Sequence, residues 1–548
     1  MVYQGSTVLN GIAIGKLFVY RKKSVRVHRI HIENTEDEVK RFREAKRITA
    51  GQLKELEKQA ADEVGKASAE IFAAHQLLLE DSDYLGSIEA MIRTQQVNAE
   101  YSVALTADRL AEAFSLIKDA YIKERTADVR DISERIISVL NDTAPDAAYI
   151  PEPVIILAGD LSPSETIRLD KSKVLSFVTV NGSANSHTAI LARTMDIPSL
   201  FGVPIELRQD FDGREAIVDG FTGTLYVDPD EETMQRMRQK QTEDKAKRKL
   251  LKVYRGKENI TLDGKRINLY ANIGSLQDIP AAIKNGAGGI GLFRSEFLYL
   301  EKDSYPSEEE QFQVYKAAAE AMTGKKVIIR TLDIGADKTK DYFNLEKEEN
   351  PAMGYRAIRI CLDRKDIFKT QLRAILRAGV FGSVAVMYPM IISVDEIVEI
   401  KRVVAEVKKE LAGQKLPYAD IEQGIMIETP AAAMISDLLA KESDFFSIGT
   451  NDLTQYSLAI DRQNAKLDRI YDACHPAIFR FIKMVIENAH TAGIPVGLCG
   501  ELGADTGLTE TLLRMGIDEL SVSPAFILEV RKKIRETNLD RSATTTIQ

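Results

Sequence analysis

Long apolar runs are missing from this chain of 548 residues. No stretch reaches the roughly 18 apolar residues of a membrane span, so no membrane insertion is expected. No charged segment followed by an apolar stretch opens it, so no secretory signal is expected. Cysteine is scarce: Cys361, Cys474 and Cys499 are three in number and far apart. That excludes a disulfide framework and fits reduced thiols in a cytoplasm. A net charge of -9 argues against a nucleic-acid surface. No proline occurs before Pro145, so nothing of that kind interrupts helices in the first quarter of the chain. An acidic chain that handles an anion must gather its cations locally, which makes arginines near strand ends worth tracking.

What is present divides into blocks. Residues 7–20 read as a strand pair, Val8-Leu9 and Ile12 to Tyr20, around an Asn10-Gly11 turn. From Asn34 the spacing turns helical, with Val39, Phe42, Ala45, Leu53 and Leu56 at threes and fours. Helices are expected at about 68–81, 84–96, 99–118 and 121–141. Residues 34–142 therefore form a helical bundle inserted into a small α/β unit made of 1–33 and 143–229. Residues 230–257 are charged, lack a sustained apolar face and read as a linker helix. Residues 258–548 hold eight short apolar runs separated by helical segments: 267–273, 289–293, 327–332, 384–390, 424–429, 445–449, 495–499 and 519–523. That count predicts a (β/α)8 barrel. The fold class is thus multidomain α/β, ending in a barrel.

In such barrels the chemistry sits at the C-terminal strand ends. There the sequence places Arg294, Arg330, Glu428, Asn451-Asp452 and Cys499, with Arg462 shortly after. Guanidinium forks suit phosphate or carboxylate. Glu428 and Asp452 suit Mg²⁺, which uses one or two carboxylates plus substrate oxygens. Cys499 is placed to give a proton to a carbanion or enolate. Each residue alone has a plain structural reading, as an ion pair, a cap or packing; five of them at one rim favour a function.

The second focus is Asn181-Gly182-Ser183-Ala184-Asn185-Ser186-His187, a small polar turn before an apolar helical run. Small residues let phosphate approach the backbone, and a helix N-terminus supplies free N–H groups. His187 is the one histidine of six in such a frame, so it is the candidate phosphoryl carrier.

The segments LSPSET (161–166), SHTAILAR (186–193), YIKERTADVRDI (121–132), GLFRSEFLY (291–299), KEENPAMGYRAIR (347–359), DFFSIGTNDLTQYSLAIDR (444–462) and GLCGELGAD (497–505) make the chain resemble a known family. It is similar along essentially its whole length to enzyme I of the bacterial phosphoenolpyruvate-dependent sugar phosphotransferase system. The resemblance implies that His187 takes phosphate from phosphoenolpyruvate on Nε2 and passes it to a histidine of the carrier HPr. It implies substrate contacts from Arg294, Arg330, Asn451, Asp452 and Arg462, Mg²⁺ on Glu428 and Asp452, and Cys499 as proton donor to enolpyruvate. Lys338 and Arg356 would be further phosphate contacts, and Thr166 and Asp128 would orient the resting histidine. The inserted bundle would dock HPr, with His75 either at that interface or packed inside. A swing of the histidine unit about the 230–257 linker, a homodimer through the barrel and a cytoplasmic location are expected on the same ground. One departure stands out: Gly182-Ser183-Ala184-Asn185 replaces the family's usual Gly-Gly-Arg-Thr. It leaves a regulatory adaptor with impaired phosphotransfer as the alternative function.

Overall fold

The computed structural model describes the chain apart from residues 8, 22–26, 64–65, 117–119, 144–149, 182–186, 196, 301, 336–339, 463, 465, 468 and 541–548. The chain forms two compact units, Met1–Arg248 and Lys249–Gln548.

The first unit is built on an eight-stranded sheet. At its centre Ile12–Val19 pairs in parallel with Val154–Ala158, which pairs in parallel with Val174–Thr179. All five residues of Val154–Ala158 are buried, as expected for a strand covered on both faces. One apolar cluster, with Leu17, Ile155 and Leu157, covers one face; Val154, Ile156 and Ala158 join another. Between these adjacent strands the chain makes five helices: Thr35–Glu63, Lys66–Leu78, Ser82–Gln95, Ala99–Leu116 and Ala120–Leu140. Their shared core holds Val39, Phe42, Ala45, Leu53 and Leu56, the residues spaced by threes and fours, together with Ile88 and Ile136. The bundle leaves and re-enters the sheet at neighbouring strands, so it is a true insertion.

One expectation is corrected here. Val8 lies outside the described residues, and among those described Asn10-Gly11 joins no hairpin. Ser6–Thr7 pairs with Leu200–Phe201 at the sheet edge, while Ile12–Val19 pairs antiparallel with Glu215–Asp219. Distant partners outcompete the local turn because they bury the apolar strand on both faces. A charged helix, Glu231–Lys252, stands where the linker helix is expected; it has no sustained apolar face, but Met234 and Met237 are buried against Ile12 and Ile217. Lys240 Nζ meets Asp219 Oδ2 at 3.0 Å, and Gln241 Nε2 donates to Ile12 O at 2.8 Å. Two methionines within one turn are too brief a pattern to register as amphipathic periodicity.

The second unit is a closed barrel of eight parallel strands. They are Asn268–Ile273, Ile290–Arg294, Val327–Arg330, Val384–Tyr388, Glu422–Ile427, Phe446–Ile448, Val496–Leu498 and Glu519–Val522. Each pairs with the next, and the last closes on the first through Leu520 and Leu269. All eight coincide with the apolar runs. Helices such as Lys365–Ala378 and Pro476–Ala492 cover the outside, with Leu372, Ile375, Ile482 and Val485 buried. The strand ends therefore converge on one rim.

Candidate active site

That rim surrounds a cavity of about 550 Å³ lined by Arg294, Arg330, Glu428, Asn451, Asp452, Arg462 and Cys499. These seven barrel residues, singled out in the sequence, thus line one cavity together with Arg356.

Arg330, the last residue of its strand, is buried. Its Nε and Nη2 donate to Glu296 Oε1 at 3.1 and 2.7 Å, and its Nη1 lies 3.0 Å from Asp333 Oδ2. Asp333 Oδ1 accepts from Arg356 Nη2 at 2.9 Å. A continuous chain of alternating charges, Glu296–Arg330–Asp333–Arg356, therefore fixes two guanidinium groups in the wall. By contrast Arg294 is exposed, and its side chain makes no hydrogen bond or ion pair among the described residues. A fixed fork and a free one together suit a ligand with two anionic ends.

Glu428 directly follows the fifth barrel strand and is buried. Its Oε1 accepts from Met390 N at 2.6 Å, while its Oε2 has no hydrogen-bond partner. Burial, then the nearby Asp452 and Asp333, push its carboxyl well above the usual range. Gly449 makes the space: a Cβ there would lie 3.0 Å from Glu428 Cβ and 3.1 Å from Oε2. Asn451, in the first turn of Thr450–Leu458, locks reciprocally to Glu501: its Nδ2 donates to Glu501 Oε1 at 3.0 Å, and Glu501 N donates to its Oδ1 at 3.0 Å. Cys499 is buried, with Sγ 3.7 Å from Ile448 O. Burial raises its thiol to about 11, so it holds its proton at neutral pH.

The wall carries four arginines (294, 330, 356, 462) and six carboxylates (296, 333, 428, 452, 461, 501). A doubly anionic ligand facing that excess needs a cation with it. The unpartnered Glu428 Oε2, with Asp452 nearby, fits a divalent oxygen-liganded ion such as Mg²⁺. Among the described residues no three His, Cys, Asp or Glu side chains form a ready-made metal cluster.

The sequence reading did not give roles to Glu296, Asp333, Tyr456 or Met390. Glu296 and Asp333 lie two and three residues beyond the arginines, so local spacing could have found them. Tyr456, which accepts from Arg356 Nη1 at 3.3 Å, reaches the site from the last turn of the helix Thr450–Leu458, and Met390 from a loop with no local signal. Ala357 follows Arg356 at φ 53°, a conformation that favours glycine.

His187 belongs to the first unit, where it opens the helix His187–Met195. The buried Ala189 and Ala192 let that helix pack closely, and Thr188 Oγ1 donates to Leu161 O at 3.4 Å. The His187 side chain, the 182–186 turn and Lys338 lie outside the described residues. Thr166 is buried on the neighbouring helix Pro163–Arg168. Asp128 Oδ1 lies 3.0 Å from Nε2 of His75, which is only 1% exposed. His75 is thus a packed histidine rather than a surface one.

Comparison with known proteins gives three matches in order along the chain. Residues 4–125 match the N-terminal domain of phosphoenolpyruvate-utilising enzymes, 150–223 their mobile domain and 248–539 their phosphoenolpyruvate-binding domain. The chain is 40% identical over 98% of its length to the phosphoenolpyruvate-protein phosphotransferase of Staphylococcus carnosus, covering 94% of that protein. It is 41% identical to those of Priestia megaterium and Bacillus subtilis, over 97% and 96% of its length and 93% and 92% of theirs.

Proposed function

The chain belongs to the phosphoenolpyruvate-protein phosphotransferase family, and from that premise we propose its reaction. It moves the phosphoryl group of phosphoenolpyruvate onto its own His187, then onto a histidine of the carrier HPr, and releases pyruvate. The carrying observation is the mouth, where fixed and free guanidinium groups face an unpartnered buried carboxylate in one cavity.

Arg330 and Arg294 bind the phosphate and carboxylate of the substrate, with Arg462 and the Asn451 amide closing the ring. The bond between phosphorus and the enol oxygen breaks as the neutral His187 imidazole takes the phosphoryl group on Nε2. The electron pair left on the enolate is quenched at its methylene carbon by the proton of Cys499, giving pyruvate. Mg²⁺ held by Glu428 and Asp452 would neutralise charge on the phosphoryl oxygens when bound. His187 and the mouth lie on different units, so the reaction requires the histidine to come to the mouth and then to HPr. The helical insertion is proposed as the HPr dock, the barrel as the homodimer surface and the cytoplasm as the location. No helix among the described residues is long and apolar enough to cross a membrane.

The test follows pyruvate. With phosphoenolpyruvate and Mg²⁺, added HPr should release pyruvate in step with its own phosphorylation. Pyruvate release that ignores HPr, or HPr phosphorylation driven by ATP, would sink this reading.

A further inference from the structure

Met390 follows the fourth barrel strand by two residues and sits at φ 59°, in the left-handed region. A methionine there is strained, since its Cβ crowds the backbone. It is also buried, at 2% exposure, in the main barrel core. Strain in a buried non-glycine residue persists only where surrounding structure over-determines it, and such sites gather where geometry serves function.

What the strain achieves is visible next door. The left-handed turn points Met390 N–H at Glu428 Oε1, 2.6 Å away. One residue on, Ile391 O accepts from Thr429 Oγ1 at 2.9 Å. Thr429 in turn caps the helix Pro430–Met434 through Ala432 N at 3.1 Å. The turn thus grips Glu428 and Thr429 by two hydrogen bonds of opposite direction. On the other side, Gly449 gives Glu428 room without a Cβ of its own. One carboxylate oxygen is tied down, and the other is buried with no partner.

We propose that residues 389–391 are a positioning element that turns Glu428 so that Oε1 is held and Oε2 is presented to a divalent cation. Met390 touches neither substrate nor metal; it acts through Glu428. The inference rests on the metal role given to Glu428 above.

The backbone and side-chain contributions of Met390 can be separated. Met390→Gly keeps the N–H and relieves the left-handed strain but empties part of the core. Met390→Val keeps more apolar bulk, yet its β-branch disfavours the left-handed region. The measurement is Mn²⁺ affinity of the full chain, followed by the loss of the free-ion paramagnetic resonance signal, beside thermal melting. Met390→Val should weaken Mn²⁺ binding about tenfold. Met390→Gly should melt at the lower temperature yet bind Mn²⁺ as the parent does. Melting order and affinity order would then be opposite, which a merely structural role does not produce. If affinity follows melting temperature, or both variants bind as the parent does, the positioning role is overturned. Glu428→Gln separates the two levels. If it weakens Mn²⁺ binding while neither Met390 variant does, only the positioning inference fails. If it leaves binding unchanged, the metal role of Glu428 fails and the inference falls with it.

Discussion

At the mouth of the barrel, four arginines and six carboxylates line one cavity, and backbone strain at Met390 and Ala357 flanks the charges. At the opposite end Glu519, the first residue of the last strand, enters the interior between glycines. A Cβ at Gly291 would collide with its Oε1, and one at Gly497 would lie 3.3 Å from that oxygen. The nearby Lys326 is paired with Glu422. Burial, against the pull of Lys326, raises the Glu519 carboxyl to about 8, so it is largely protonated at neutral pH. The two ends solve the same problem differently. At the floor a proton neutralises the buried charge and small residues make room. At the mouth burial and the neighbouring Asp452 and Asp333 raise the Glu428 carboxyl as well, but there one of its oxygens is left without a hydrogen-bond partner beside a cavity lined by arginines, open to a ligand or a cation. Function is therefore expected to be lost at one end and stability altered at the other.

Glu428→Gln should break that contrast hardest if it is wrong. Turnover with phosphoenolpyruvate should fall by about 10³-fold, because a preorganised charge at the reacting group is lost. Its melting temperature should hold or rise, because a repelled buried carboxylate is removed. A large fall in melting temperature would make Glu428 a structural residue like any other. Cys499→Ala sharpens the division within the mouth. Pyruvate formation should slow by about 10²-fold, the usual scale of a lost general acid. Phosphoryl exchange between phosphorylated His187 and HPr should be unaffected, since no enolate is involved. Equal losses in both would remove Cys499 as the proton donor.

The smallest effect belongs to the floor. The folded value of Glu519 is raised above the ordinary 4.5, so folding takes up a proton between the two values. Its contribution to stability is greatest below about 4.5 and is lost as pH rises through about 8. Glu519→Gln cannot ionise, so it should melt on the order of 5 °C higher near pH 9 and close to the parent near pH 5. Activity should not change. Lost activity, or an equal shift at both pH values, would mean that the floor is not a simple protonated core site.

The eight barrel strands were legible because each is a short apolar run buried by local neighbours, and their order needs only right-handed crossovers. The residues at strand ends were legible for the same reason: the period of the run says where it stops. The first unit was harder to read. Val2–Gln4 and Ser6–Thr7 are short, exposed in part and held by partners some 200 residues away, Thr224–Val227 and Leu200–Phe201. No window of sequence contains that pairing. Arg356 was reached only through resemblance, and Met390 not at all, because loops bring both to the rim. The contact of Met234 and Met237 with the sheet was hidden among charges on an otherwise polar helix.

The most direct test of the central claim is acid-labile labelling. The full chain is incubated with phosphoenolpyruvate carrying a radioactive phosphoryl group, with Mg²⁺, and is then denatured and counted. The parent should take up about one phosphoryl group per chain in a base-stable, acid-labile form, as expected for a phosphohistidine intermediate. His187→Ala should take up none, while retaining phosphoenolpyruvate binding at the barrel. Label that persists in His187→Ala, or a parent that takes up no label, would contradict the account.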